Sequence, residues 1–395
     1  MARSSMTSRE EEFILPTYEN IRLPLTLVRG EGSYVFDEAD AGYLDLYGGH
    51  AVASVGHSHP RWVAEVGAQL QTLAFYSNAV GNPVRGEAAR LLVGHSYASM
   101  KAVFFSNTGG EANETAMKIA RKATGRSVVV SMDGGFHGRT LGALGATGFP
   151  ALRRRFPENA ERWTRFFPLG DRALLDVPDP EAIAAVLVEP VQSVAGVYAA
   201  PQSYYEDLRD FCTAHGICLI FDEVQTGTGR TGEWYAGTLW GVEPDIVTTA
   251  KGVAGGIPAG VVIVNDWVAR TVEPGDQATT FGGNPLAAAG IRATYRIIEE
   301  ESLLRKVRSE SRRVMAALRN MTGVREVRGY GYLVGVECDV PAKMLQMALL
   351  GERVIVGTCA QPDTIRLLPP LTLAAGEWDR FLEVLGRVLT VRLSA

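Results

Sequence analysis

The chain has 395 residues, 46% of them hydrophobic and 8% aromatic, and a formal net charge of −5. That length supports a large core and more than one domain. The mild acidity offers no basic face for nucleic acid or anionic lipid, and no stretch approaches the ~20 apolar residues of a membrane span.

The first residues, Met1–Glu12, are polar and lack an apolar core of signal-peptide length, which predicts a cytoplasmic protein. Residues 1–56 hold short alternating runs such as Leu27–Phe36. From about Lys101 to Asn265, strand-like runs at 101–106, 126–131, 184–190, 217–224, 245–250 and 259–264 alternate with helical segments. That rhythm predicts an α/β fold with a mainly parallel sheet covered by helices on both faces. Ligands of such sheets gather at the carboxyl ends of strands, where Ser106, Asp133, Glu189, Asp222 and Lys251 fall. Residues 290–319 read as a helix with an apolar stripe including Ile291, Ile297, Val307, Val314 and Leu318, broken near Glu301–Ser302, and a last helix lies near Glu377–Leu393. The expected division is a large domain over 57–289 and a smaller α+β domain from 1–56 and 290–395.

Two strand ends carry the most informative residues. The run Cys218–Asp222 ends on a carboxylate, and the run from Asp245 delivers Lys251, 29 positions after Asp222. A buried lysine whose pKa is lowered can form a Schiff base with an aldehyde cofactor, and a buried carboxylate can keep a pyridine nitrogen protonated so that the ring accepts electrons. Taken singly, the aspartate also reads as a turn or cap residue and the lysine as a solvated strand end.

Other segments tip the balance. Ser106–Lys118 reads as a strand end, a glycine turn and a helix start. Thr108 and Glu111 have capping-box spacing, and Gly109 and Gly110 leave backbone N–H groups open to a phosphate. In Gly134–Thr140, Phe136 can stack on a flat heterocycle and Arg139 can clamp a carboxylate through its planar fork. His137, flanked by Gly138 and lying close to Gly135, reads as a tight-turn residue rather than a catalytic base. The glycine-rich loop Gly252–Gly260 invites comparison with a dehydrogenase nucleotide loop, but Pro258 breaks any helix start and the loop leads into a strand. Cys212, Cys218, Cys338 and Cys359 read as reduced thiols, and Cys212, His215 and Cys218 lack metal-ligand spacing.

These segments, with Gly56–Pro60, Val188–Gln192, Phe221–Gly227, Gly229–Gly232, Ala250–Gly252, Thr280–Pro285 and Val327–Gly331, resemble in order and spacing the class III pyridoxal-phosphate aminotransferases. The resemblance runs from roughly Thr17 to Leu371. It implies the fold type I transferase architecture, with a seven-stranded, mainly parallel sheet. It also implies that Lys251 bears the cofactor, Asp222 meets the pyridine nitrogen, and Gly109 and Gly110 bind phosphate. Phe136 and Val224, the latter expected on the same strand face as Asp222, would flank the ring, and Gln225 would approach its hydroxyl. Thr280 would reach the phosphate of a neighbouring subunit, which implies a homodimer with shared sites.

Tyr43–Val52 and Ile365–Leu371 resemble the acetylornithine and N-acylornithine branch. This implies transfer of a terminal amine from an N-acylornithine to 2-oxoglutarate. Arg139 would take the distal carboxylate and Arg366 the α-carboxylate of glutamate or 2-oxoglutarate, with Glu189 also in the substrate site. Succinylornithine, carrier-linked lysine or ornithine, and 4-aminobutyrate remain alternative donors.

The sequence departs from the family at four places. Its Gln-Gly-Glu-Gly-Gly stretch reads Gln192-Ser-Val-Ala-Gly196 here, so Val194 stands where an acidic residue often pairs with the late arginine, and Arg366 is expected to be unmasked. Gly110 replaces a small residue with a hydroxyl or methyl, Gln277-Ala278 replaces His-Gly, and Gly49 stands near the tyrosine of the ornithine aminotransferases.

Overall fold

A computed structural model describes residues 13–18, 21–156 and 160–393, with the backbone only at 160, 161 and 393. The polar stretch Met1–Glu12 lies outside the described residues. Three short strands open the fold: β1 (Leu27–Glu31), β2 (Tyr34–Asp37) and β3 (Gly42–Asp45), paired antiparallel in sequence.

The large sheet comprises β4 (Met100–Ser106), β5 (Val128–Met132), β6 (Thr164–Phe167), β7 (Ile183–Val188), β8 (Cys218–Asp222), β9 (Ile246–Thr249) and β10 (Gly260–Asn265). Their spatial order is β4-β10-β9-β8-β7-β5-β6. All neighbours run parallel except β10, which is antiparallel to both β4 and β9. The central strands are covered on both faces, so Ile183–Val188 is buried at every position and reads as an unbroken apolar run. All six expected runs form strands. β6 has no such run because it is an edge strand, half-buried throughout, and its Thr-Arg-Phe-Phe sequence carries no alternation.

A 16-residue helix, Gly109–Thr124, follows β4 directly. Thr108 caps it, accepting from Glu111 N at 3.1 Å, and Gly125 closes it in the left-handed conformation at φ 69°. The Glu111 carboxylate does not return to the capping residue, as a full capping box would require. It accepts instead from Asn107 N at 2.6 Å, one residue earlier.

The C-terminal third adds β11 (Val324–Tyr330), β12 (Leu333–Cys338), β13 (Val354–Ile355), β14 (Gly357–Thr358) and β15 (Thr364–Leu367). β13 pairs parallel with β3, and the rest form an antiparallel sheet in the order β11-β12-β15-β14. The long helix is interrupted where expected: Pro285–Glu300 and Leu303–Arg319 flank Glu301–Ser302, with Ser302 at φ 51°. The last helix spans Ala375–Leu393.

One apolar core surrounds the large sheet, with Val186, Leu219, Phe221, Tyr205 and Trp240 among its members. Another joins Leu44 and Leu46 of the N-terminal strands to Val307, Leu318, Val336, Trp378 and Phe381. The Gly109–Thr124 helix packs in a third apolar cluster, where Ala112, Ala116 and Ala120 meet Ile220 of β8 and Ile246 of β9. Among the described residues, no helix is long and apolar enough to cross a membrane.

Candidate active site

Asp222 and Lys251 sit at neighbouring strand ends because β8 and β9 pair in parallel, with Asp222 opposite Thr248. Asp222 is buried, and three donors hold its carboxylate. Asn113 Nδ2 and His137 Nδ1 both lie 2.7 Å from Oδ2, and Val224 N donates to Oδ1 at 3.0 Å. Asn113 is itself fixed, donating to His137 O at 2.7 Å and accepting from Thr248 Oγ1 at 2.7 Å.

His137 therefore corrects the sequence reading. It is not merely a turn residue: its ring is buried against Asp222, and room for it comes from Gly135, where a Cβ would lie 2.9 Å from Nε2. Asn113 was not expected at all. Its one signal in the sequence is a polar residue on the same helical face as the buried Ala116 and Ala120. Val224 needs a second correction, since β8 ends at Asp222 and Val224 lies in the following turn. It reaches the site because its N–H is tied to the Asp222 carboxylate, not through strand alternation.

Lys251 opens a short 3₁₀ turn with φ 39°, a left-handed conformation that any residue with a Cβ disfavours. Burial pulls its amine below the usual lysine range. The Asp222 and Glu189 carboxylates oppose that shift, and the Arg366 charge adds to it. Glu189, just past β7, is buried and accepts from Phe136 N at 2.6 Å. Burial raises its carboxyl to about 7 against the opposing His137 charge, with the Asp222 carboxylate raising it further.

A cavity of about 380 Å³ joins Gly109, Gly110, Phe136, Asp222, Val224 and Lys251. Gly109 admits no side chain, because a Cβ would meet Val224 Cγ1 at 2.9 Å, whereas a Cβ at Gly110 would make ordinary contact with Thr140 Oγ1 at 3.5 Å. The glycine at 110 is therefore not forced by space. An open helix start, an aromatic ring facing the cavity, a carboxylate fixed by three donors with acceptor capacity left, and a lysine with a lowered pKa fit a flat pyridine carrying an aldehyde and a phosphate.

The other expected residues do not line this cavity. Arg139 is exposed, with its guanidinium 5.5 Å from the centre of the Phe136 ring. Gln225 Nε2 points to His50 O at 3.5 Å, and Thr280 is exposed. Arg366 is buried and has no carboxylate partner among the described residues, and three of its five N–H groups are bonded to neutral oxygens. Nη1 donates to Ser193 Oγ at 2.9 Å, Nε to Thr358 O at 2.9 Å and Nη2 to Tyr47 Oη at 3.3 Å. Gln277 Oε1 accepts from Lys118 Nζ at 3.1 Å, which ties the Thr280 loop to the Gly109–Thr124 helix.

Comparison with known proteins agrees with this geometry. The family model for aminotransferase class III matches residues 17–389. The acetylornithine aminotransferase of Methanopyrus kandleri is 41% identical, over 97% of this chain and 99% of that protein. The acetylornithine aminotransferase of Thermosynechococcus vestitus is 39% identical, over 98% and 97%. Among solved structures, the ornithine aminotransferase of Toxoplasma gondii superposes with a TM-score of 0.93 at 26% identity, covering 100% of this chain and 96% of that one. A further structure of that enzyme, with a TM-score of 0.91 at 26% identity over 98% and 95% of the two chains, is described as having partial occupancy of PLP at its active site. With a family match across almost its whole length and relatives near 40% identity, the chain belongs to the class III aminotransferases.

Proposed function

We propose that this chain is a pyridoxal-phosphate-dependent aminotransferase of arginine biosynthesis. It moves the terminal amine of an N-acylornithine, N-acetyl-L-ornithine, to 2-oxoglutarate, giving the semialdehyde and glutamate. The observation that carries the reading is a lysine with a lowered pKa sharing one cavity with a buried carboxylate held by three donors and an open helix start. The near-full-length relatives named for acetylornithine support the donor.

When bound, the cofactor supplies an aldehyde that condenses with primary amines and a ring that takes up electrons. Gly109 and Gly110 offer backbone N–H groups to its phosphate, at the positive end of their helix. Phe136 and Val224, which line the cavity, would flank the ring, Asp222 would keep the pyridine nitrogen protonated, and Gln225 would have to turn from His50 O to approach the ring hydroxyl. Lys251 Nζ takes the proton from the amine-bearing carbon of the substrate and returns one to the cofactor side, a role that needs the neutral amine its burial favours. Arg139 receives the distal carboxylate and Arg366 the α-carboxylate of glutamate or 2-oxoglutarate, so one site takes two chains of different shape. Glu189 orders the substrate side by holding Phe136 N and adding a carboxylate near Lys251.

The reading includes a homodimer in which Thr280 completes the phosphate site of the partner. Support comes from the exposed apolar residues Leu70, Leu73, Phe75, Tyr76 and Val80, of which Phe75 has its ring 5.3 Å from that of exposed Phe281, the neighbour of Thr280. A cytoplasmic location is supported by four unpaired cysteines. The division into 57–289 and a smaller unit from both termini is supported by one apolar cluster whose buried members, Leu44, Leu46, Val307, Val336 and Trp378 among them, all lie outside 57–289.

The deciding measurement is the visible spectrum of the purified protein. The cofactor band is expected to fade on adding N-acetylornithine without a keto acid and to return with 2-oxoglutarate. A band that ignores N-acetylornithine but answers N-succinylornithine would change the donor, and no band after added pyridoxal phosphate would overturn the reading.

Because no acidic partner among the described residues competes for Arg366, Val194→Glu is expected to raise the apparent KM for 2-oxoglutarate roughly tenfold, by offering the buried guanidinium a carboxylate of its own. Steady-state kinetics at fixed N-acetylornithine would check this. An unchanged KM would show that position 194 does not reach Arg366.

A further inference from the structure

Arg366 occupies a slot that its own sheet leaves open. On β15 it pairs directly with Gly335 of β12 and with Gly357 of β14, so neither flanking strand places a side chain beside it. A Cβ at Gly357 would overlap the Tyr47 ring, and one at Gly335 would lie 3.1 Å from Gly196 O and Val197 Cβ. The two open positions are thus filled from elsewhere, by Tyr47 on one side and the Ser193–Val197 loop on the other.

Both fillers bond to the guanidinium through neutral oxygens, Ser193 Oγ at 2.9 Å and Tyr47 Oη at 3.3 Å. The Tyr47 hydroxyl also lies 2.6 Å from His50 Nδ1. Burial, reinforced by the charges of Arg366 and Lys251, keeps His50 below the usual histidine range, which leaves the ring neutral and able to accept the tyrosine proton. The backbone is built to hold this contact. Tyr47 N and Gly48 N both donate to Asp45 Oδ1 at 2.9 Å. Gly48, Gly49, His50 and Ala51 then run at φ 57°, 57°, 66° and 66°, a left-handed turn that is uncommon for side chains beyond glycine and is held here by the surrounding bonds.

We propose that Tyr47, anchored by His50, and Ser193 are positioning residues for Arg366, a neutral clamp that fixes its fork for the α-carboxylate of glutamate and 2-oxoglutarate. An acidic gate would have to swing aside before each dicarboxylate could bind. The neutral clamp orders the long arginine side chain while leaving its positive charge for the substrate. The inference rests on the reading of Arg366 as the α-carboxylate site. It also makes a distinction that a general packing role does not, because an N-acylornithine offers its reacting carbon without an α-carboxylate and does not need Arg366.

The test uses the holoenzyme in single-turnover absorbance experiments with glutamate and, separately, N-acetylornithine. In Tyr47→Phe and in Ser193→Ala, the half-saturating concentration of glutamate is expected to rise roughly tenfold relative to that of N-acetylornithine, the scale of one lost hydrogen bond to a charged group. Gly357→Ala, which acts on Tyr47 only by crowding its ring, is expected to shift the same ratio and serves if either of the others fails to fold. Ratios that stay at the wild-type value, or two constants that rise together, would overturn the clamp. A wild-type protein that answers neither amine would instead remove the functional reading on which the clamp depends.

Discussion

Replacing Lys251 with alanine is expected to lower turnover with N-acetylornithine and 2-oxoglutarate by at least about a thousandfold, since both the covalent anchor and the proton carrier are lost. The fold should survive. Burial already disfavours the charged lysine more than Asp222 and Glu189 favour it, so removing the ammonium takes away a desolvation cost as well as two attractions. Position 251 has φ 39°, and alanine bears the same backbone strain as lysine, so Lys251→Gly should be the more stable of the two variants by about 1 kcal/mol. Turnover assays beside urea unfolding of the cofactor-free proteins would separate these effects. Alanine variant activity within tenfold of wild type would take Lys251 out of the chemistry.

Lys251 and Asp222 were legible in the sequence because each follows a strand-like run, Cys218–Phe221 and Ile246–Thr249, and topology then brings the ends of parallel neighbours together. The Gly109–Thr124 helix was legible for a similar local reason: strand, turn residues and cap follow one another within a few positions. The shell around these residues was not. Asn113 and His137 meet Asp222 across 109 and 85 positions, and nothing within either segment shows that the partner is a buried carboxylate. The same distance in sequence hid the environment of Arg366. The substitution of Val194 for an acidic residue directed attention to Arg366, but the bonds from Ser193 and Tyr47 span 173 and 319 positions. Those bonds depend on two glycines that read in the sequence only as strand residues of no particular meaning. Val224 was misread because two-residue alternation through Asp222, Glu223 and Val224 does not show that the strand ends at Asp222.

Asp222→Asn should lower kcat by a factor on the order of a thousand, comparable to the loss of a preorganised electrostatic group in other active sites. The amide keeps the shape of the carboxylate but carries no charge with which to hold a proton on the pyridine nitrogen. Its hydrogen bonds also matter, since Asn113 Nδ2, His137 Nδ1 and Val224 N all lie within bonding distance of the two oxygens. An amide offers one oxygen and one NH₂, so at least one of these neighbours meets a donor instead of an acceptor, or the cofactor side does. Asp222→Ala goes further and leaves buried donors without any acceptor, each costing about 1–3 kcal/mol of stability. The two variants should therefore lose activity to a similar extent, while only the alanine variant unfolds at markedly lower urea. Reconstitution with a cofactor methylated at the pyridine nitrogen, whose ring is permanently charged, is expected to return part of the lost rate in both. If that analogue restores nothing and the asparagine variant unfolds as readily as the alanine one, Asp222 acts as the keystone of the Asn113–His137 network and not as the partner of the ring nitrogen.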